Sequence, residues 1–204
     1  LRLIDIKFDV AFTSLLKRAN KTLCTILEQM DRTWIPITHA WELNERHYGA
    51  LQGKNKAEVA KEFGDEQVQI WRRSYEIPPP SIDENDPSHP RFDSKYDGID
   101  KLPSGESLKD TLARVKPYWE NNILPQLLGN QNVLIVAHGN SLRSMIKIID
   151  KIDDASIVNL NLPTGIPIVY EFNENMEPTS KEFLADSEAL QKAQDAVAAQ
   201  GMSS

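Results

Sequence analysis

Four stretches of this 204-residue sequence carry more polar chemistry than a fold requires. The first is Arg18, set in a predicted helix. The second is "LNERHYGALQG", in which Glu45, Arg46, His47 and Tyr48 run consecutively up to Gly49. The third pairs Lys56 with Arg72-Arg73, and the fourth is His138-Gly139-Asn140. Guanidinium forks and an ammonium group suit the oxygens of phosphates and carboxylates. His138 can hydrogen-bond a transferring phosphoryl group, and Glu45, an acid among cations, can shuttle a proton to or from a hydroxyl. No Walker-type glycine-rich loop is present, and His39, His47, His89 and His138 lack the spacing of a zinc site. The chemistry expected is metal-free phosphoryl transfer, with charge stabilised by Arg and His. These residues furnish no nucleophile for it. Each stretch also has a purely structural reading. Arg18 can be solvated, Arg72 and Arg73 can pair with Asp65, Glu66 or Glu76, and His138 can be a satisfied histidine in a capped turn. "NERHYG" is the hardest to read as a plain surface turn.

The elements that must position these groups follow from hydrophobic periodicity. Val133-Leu134-Ile135-Val136 is short, β-branched and apolar on both faces, as a strand of a parallel sheet is. Beyond it, Leu142, Met145, Ile146 and Ile149 fall on one face of a helix, with Asn140 or Ser141 as the expected N-cap. His138 therefore stands where a strand feeds a helix, the place where open α/β sheets gather ligands. Gly139 lets a ligand approach the backbone, and the helix start offers unpaired N–H groups to an anion. Residues 8–12 read as a strand followed by a helix capped by Thr13 or Ser14, with Leu16, Ala19, Leu23, Ile26, Leu27 and Met30 inward. Residues 34–38 read as another short strand.

Residues 41–105 read as an insertion covering the site. It holds two short helices, one opened by an Asn55/Glu58 capping box and ended at Gly64, the next capped by Asp65 and stopped before Pro78-Pro79-Pro80. Residues 81–104 are a Pro, Asp and Ser-rich loop. Residues 108–128 form a helix bent or broken at Pro117 and Pro125. Residues 167–172 form a strand, and 173–204 a C-terminal tail with an Ala-rich helix over 186–200. Strands alternating with helices predict one α/β domain: a three-layer sandwich with a mostly parallel central sheet and helices on both faces.

Bulk properties narrow the function. The net charge of −7 argues against nucleic acid or an anionic membrane as partner. The single cysteine excludes a disulfide framework and fits a reducing, cytoplasmic setting. No signal peptide or run of membrane-spanning length is visible.

The stretches "LNERHYGALQG", "WRRSYEIPPP", "ESLKDTLARVKPYWE", "LIVAHGNSLR" and "NLPTGIPIVYE" together resemble the cofactor-dependent phosphoglycerate mutases of the histidine phosphatase superfamily. The resemblance runs from about residue 8 to the C-terminus. It implies interconversion of 3-phosphoglycerate and 2-phosphoglycerate in glycolysis and gluconeogenesis, through a histidine that carries the phosphoryl group and is primed by 2,3-bisphosphoglycerate. It implies that Glu45 is the general acid/base and that His138 stabilises the transferring phosphoryl group. Arg18, Arg46, His47, Tyr48, Lys56, Arg72, Arg73, Gly139 and Asn140 are implied as the substrate-binding set. No metal is implied, and a homo-oligomer is expected.

Three departures stand out. The family's nucleophile lies in an N-terminal Arg-His-Gly segment, and no Arg-His-Gly occurs here. The resemblance implies that this strand and most of the following helix precede residue 1. Glu42 stands where the family usually has Arg, positioned to pair locally with Arg46. The terminal "AAQGMSS" lacks the lysines that often close the family's chains. Two further readings remain open: a bisphosphoglycerate mutase, against which Leu142 after "HGNS" weighs slightly, and a truncated, non-catalytic phosphoglycerate-binding protein.

Overall fold

The computed structural model describes residues 6–202, apart from the side chains of residues 56, 57 and 198–202. Its centre is a parallel sheet of three strands in the order β2-β1-β3, formed by β1 (Val10–Thr13), β2 (Ile37–His39) and β3 (Val133–Val136). Every residue of the middle strand β1 is buried, as expected of a parallel strand covered on both faces. The two-residue period of the strands divides the core cleanly. Val10, Phe12, Val133 and Ile135 face one cluster with Leu43, Val115, Trp119, Ile123 and Met145. Ala11 and Leu134 face the other, with Phe8, Leu23, Leu27 and Ile35.

Helix α1 (Lys17–Gln29) covers the second face through Ala19, Leu23 and Leu27. Leu23 and Leu27 are each 1% exposed, burial that stabilises by roughly 1.5–3 kcal/mol per side chain. Helices α4 (Leu108–Tyr118) and α6 (Gly139–Ile149) cover the first face. The fold is therefore an α/β sandwich with helices on both faces of a parallel sheet. Ser107 caps α4 by accepting the Asp110 N–H, and the Asp110 carboxylate accepts the Ser107 N–H in return. The prolines mark the break that follows. Past Pro117 the chain widens into a π turn over Trp119–Ile123, then resumes as α5 (Leu124–Leu128) with Pro125 in its first turn, where a missing N–H costs no helical bond.

Between β2 and α4 the chain carries α2 (Lys56–Phe63), α3 (Asp65–Arg73) and several short 3-10 turns. Asp65 is the first residue of α3 and not its cap. The cap position belongs to Gly64, whose φ of +83° lets α2 end and α3 begin around one residue. Neither Thr13 nor Ser14 caps α1 either. The cap position is Leu16, without a side-chain bond. Both hydroxyls are engaged at the strand ends, that of Thr13 donating to Val136 O at 2.8 Å.

The expected strand before the tail is β4 (Ile168–Phe172), but among the described residues it does not join the central sheet. It pairs antiparallel with β5 (Pro178–Phe183), which lies in the segment expected to be tail, to form a separate two-stranded ribbon. β5 is exposed along almost its whole length, so it has no apolar alternation to betray it. Helix α7 (Ser187–Met202) follows. Among the described residues no helix is long and apolar enough to cross a membrane.

Candidate active site

The site is built where β1 and β3 end. His138 occupies the N-cap position of α6, and Ser141 Oγ accepts its backbone N–H at 3.2 Å. Asn140 and Ser141, the expected caps, lie inside the helix, because the helix begins at Gly139. The imidazole of His138 turns away from its own helix to meet two groups from the β1–α1 junction. Its Nε2 lies 2.7 Å from Ser14 Oγ, and its Nδ1 accepts from Arg18 Nε at 3.1 Å. A guanidinium can only donate, so Nδ1 carries no hydrogen and Nε2–H donates to Ser14. Burial, first, and the Arg18 charge, second, lower the His138 pKa to about 4, against the opposing pull of Glu45. The ring is neutral at physiological pH, with its tautomer set.

Glu45 arrives from the loop after β2. A 3-10 turn over Trp41–Leu43 brings the chain around, and Asn44 Oδ1 ties it to β1–α1 by accepting the Leu15 N–H at 2.9 Å. Glu45 Oε1 then accepts the Arg46 N–H at 2.7 Å and the Asn140 N–H at 3.3 Å. The second of these is one of the unpaired donors at the start of α6, so the carboxylate sits at the positive end of that helix. A Cβ on Gly139 would stand 3.9 Å from Glu45 Oε2, an ordinary contact.

The loop is held by a buried ion pair that sequence reasoning missed. Arg114 on α4 and Glu106 before it are 8% and 4% exposed, and the guanidinium binds both carboxylate oxygens, at 2.6 and 2.9 Å. The same guanidinium donates to the carbonyls of Glu42, Asn44 and Glu45, while Glu106 accepts the His47 N–H. One charge pair thus fixes the backbone on both sides of Glu45 and Arg46. Gly49 closes the loop from the other end. Its φ is +57°, and a Cβ there would lie 2.0 Å from Pro80 O.

Around this frame lie the cations. Arg46 is 2% exposed, its guanidinium is 4.8 Å from the Tyr48 ring centroid, and its Nη2 donates to Arg72 O at 3.4 Å. Its Nε is buried without a hydrogen-bond partner. Asn140 Nδ2 donates to Tyr48 OH at 3.5 Å. Arg73 Nη1 donates to Asn161 Oδ1 at 3.0 Å. The structure therefore gathers Arg18, Glu45, Arg46, Tyr48, His138, Gly139 and Asn140. Arg72 joins through its carbonyl. The His47 ring closes its own turn by accepting the Gly49 N–H at 3.0 Å, and burial lowers its pKa. The Lys56 side chain lies outside the described residues. The expected Glu42–Arg46 pair does not form among the described residues. Glu42 bears on Tyr118 instead, adding to the burial that raises the Tyr118 pKa.

The residues of this candidate site that sequence reasoning did not single out are Ser14, Asn44, Glu106, Arg114 and Arg143. Each joins partners distant along the chain or, for Arg143, sits one helical turn beyond His138-Gly139-Asn140. Only Glu106 and Arg114 left a trace, as charges within the quoted stretch "ESLKDTLARVKPYWE".

Comparison with known proteins places the chain in a family. The profile of the histidine phosphatase superfamily (branch 1) matches residues 1–86 and 80–179. A mycobacterial glucosyl-3-phosphoglycerate phosphatase is 18% identical, with a TM-score of 0.57 over 85% of this chain and 74% of its own. The alpha-ribazole phosphatase from Shigella flexneri is 19% identical, with a TM-score of 0.60 over 89% and 75%. A putative alpha-ribazole-5'-P phosphatase from Escherichia coli, also 19% identical, reaches 0.63 over the same shares. At these identities the likeness is one of fold.

Proposed function

We propose, from the premise that this chain belongs to branch 1 of the histidine phosphatase superfamily, that it serves a phosphoglycerate mutase interconverting 3-phosphoglycerate and 2-phosphoglycerate. Phosphoryl transfer is the chemistry of the superfamily. The observation that carries the finer reading is the seat of Glu45: a carboxylate held by two backbone N–H groups beside a neutral His138 and the buried guanidinium of Arg46. A mutase must give a proton to one hydroxyl oxygen and take it from another as the phosphoryl group moves. A fixed carboxylate at the rim of a cationic site does both. Arg18 and His138, whose Nε2–H exchanges its Ser14 partner for the incoming oxygen, stabilise the charge on the transferring group.

The carrier of the phosphoryl group in this proposal is a histidine on a strand outside residues 1–204. His138 is engaged on both nitrogens, and the His47 Nδ1 is engaged by Gly49. Among the described residues β3 pairs only with β1, and β4 only with β5, so each has an edge that can accept another strand. When bound, 2,3-bisphosphoglycerate supplies the priming phosphoryl group. Arg46, Tyr48, Arg72, Arg73 and Asn140 are the residues to hold it, and the buried Arg46 Nε without a partner fits an anionic oxygen.

A second reading, phosphate monoester hydrolysis, is favoured by the names of the similar structures, which are phosphatases. The deciding experiment assays the full-length protein on 3-phosphoglycerate with 2,3-bisphosphoglycerate, separating 2-phosphoglycerate from inorganic phosphate. Formation of 2-phosphoglycerate without matching phosphate release is expected. Phosphate release as the main product replaces the mutase reading with the hydrolytic one.

A further inference from the structure

Arg143 lies on α6, three residues beyond Asn140 and on the same face of the helix. Its Nη1 donates to Asn140 Oδ1 at 3.1 Å, and its Nη2 donates to Ile157 O at 2.7 Å. Ile157 is fully buried and belongs to a 3-10 turn over Ile157–Asn159, so the guanidinium is clamped between a helix and a fixed turn. The clamp has a direct consequence for Asn140. A guanidinium offers only donors, so the Asn140 amide must give it the oxygen. The amide nitrogen is thereby sent the other way, to Tyr48 OH. Without Arg143, nothing in this contact decides which way the amide faces.

Arg143 is also electrostatically unusual. Its Nε is buried without a hydrogen-bond partner, as is the Nε of Arg46, and among the described residues neither guanidinium forms an ion pair. Burial, together with the charges of Arg46 and Arg73, lowers the Arg143 pKa to about 10, and Glu45 only partly opposes them. Arg143 stays charged at neutral pH. Grouping buried guanidiniums near a single carboxylate is unfavourable unless further negative charge arrives. The segment that anchors Arg143 also receives Arg73, through Asn161 Oδ1.

We infer that Arg143 is a positioning residue of this site: it fixes the Asn140 amide toward Tyr48 and adds positive charge that an anionic phosphate ester neutralises. The inference rests on the phosphoryl-transfer site proposed above and extends it to a residue outside the polar stretches that define that site in the sequence. It does not depend on whether the reaction is transfer between hydroxyls or hydrolysis.

The test uses the full-length protein and two variants, Arg143→Met and Arg143→Lys. Inorganic phosphate is the probe, its binding read by calorimetry. The Asn140 side-chain amide is followed by nuclear magnetic resonance, and a thermal melt checks each fold. Loss of the charge-assisted anchor on Asn140, together with its positive charge, predicts phosphate binding roughly ten- to a hundred-fold weaker in Arg143→Met. The Asn140 amide resonances should shift, and with 3-phosphoglycerate as substrate KM should rise more than kcat falls. Arg143→Lys keeps the charge but not the fork, so it should recover part of the phosphate affinity. Wild-type phosphate affinity in a folded Arg143→Met overturns the inference. If that variant does not fold, an Arg143→Lys protein with both wild-type phosphate affinity and unshifted Asn140 amide resonances overturns it equally. So does a wild-type protein that does not bind phosphate. A wild-type protein that binds phosphate but makes no 2-phosphoglycerate refutes the mutase reading and leaves this inference standing on the phosphate measurements.

Discussion

Arg18 Nε donates to His138 Nδ1 across 120 residues of sequence, at 3.1 Å, and this bond fixes which nitrogen of the histidine carries its hydrogen. The cation lies on a helix and the imidazole at the end of a strand, and only the parallel pairing of β1 with β3 brings the two together. The consequence is a neutral ring with Nε2–H aimed at Ser14.

That ring has a pH signature. Its pKa is lowered from 6.5 to about 4, by burial and then by Arg18. Between those values the unfolded chain binds a proton that the folded chain refuses, so folding stability rises with pH there. The contribution is fully present above about pH 6.5 and is lost as pH falls toward 4. Replacing Arg18 with Met should move the His138 titration upward, measured by magnetic resonance of the ring, and should flatten this part of the acid-stability curve. An unmoved titration rejects the role given to Arg18.

Glu45→Gln should keep the fold, because a carboxamide oxygen can still accept the Arg46 and Asn140 N–H groups. Turnover on 3-phosphoglycerate should fall by about 10²–10⁴-fold, the usual cost of losing a general acid/base, while priming from 2,3-bisphosphoglycerate partly survives. Near-normal turnover in the folded variant counts against Glu45 as the proton shuttle.

Breaking the Arg114–Glu106 pair should damage stability and catalysis together. Removal of one partner of a buried ion pair costs roughly 3–5 kcal/mol. Glu106→Gln should therefore lower Tm clearly. Arg91→Ala, which removes the exposed Arg91–Glu84 pair, should change it by at most about 1 kcal/mol. Equal melting shifts for the two variants contradict the account of the strut.

Two glycines with positive φ separate strain from crowding. Gly53→Ala places its methyl in open space at φ +74°, so only backbone strain of about 1–2 kcal/mol is expected. Gly49→Ala adds a 2.0 Å collision with Pro80 O, which must displace the Pro78–Pro80 segment from the loop bearing Glu45. Denaturant midpoints should rank wild type above Gly53→Ala and Gly53→Ala above Gly49→Ala. The reverse order refutes the close packing at Gly49.

Residues 1–204 expressed alone should lack mutase turnover and tend to aggregate. Among the described residues one edge of β3 and one edge of β4 have no strand partner, and free edges of that kind recruit other chains. Light scattering and an assay with 3-phosphoglycerate and 2,3-bisphosphoglycerate provide the check. A monodisperse, active protein contradicts both the free edges and the carrier proposed above.

Much of this molecule is legible in its residues alone. A parallel strand covered on both faces must be apolar throughout, so 133–136 announces β3, and the 3.6-residue spacing after it announces α6. Proline lacks an N–H, so Pro117 and Pro125 announce the break in the helix over 108–128. "NERHYG" announces a candidate site because four polar groups beside a glycine are excessive for a turn. Tertiary structure alone decides the rest. Ser14 reads in the sequence only as a candidate helix cap, and it becomes a partner of His138, 124 residues away, only because β1 and β3 lie side by side. Glu106, just before α4, and Arg114 within it are ordinary charges until the chain folds three carbonyls of the Glu45 loop onto one guanidinium. The polar face of β5 hides its pairing with β4, since backbone hydrogen bonds leave no mark in side-chain pattern. Local periodicity is written in the residues themselves. The direction of a proton on His138, or of an amide on Asn140, is set by donors that arrive from elsewhere in the chain or from the next turn of the helix.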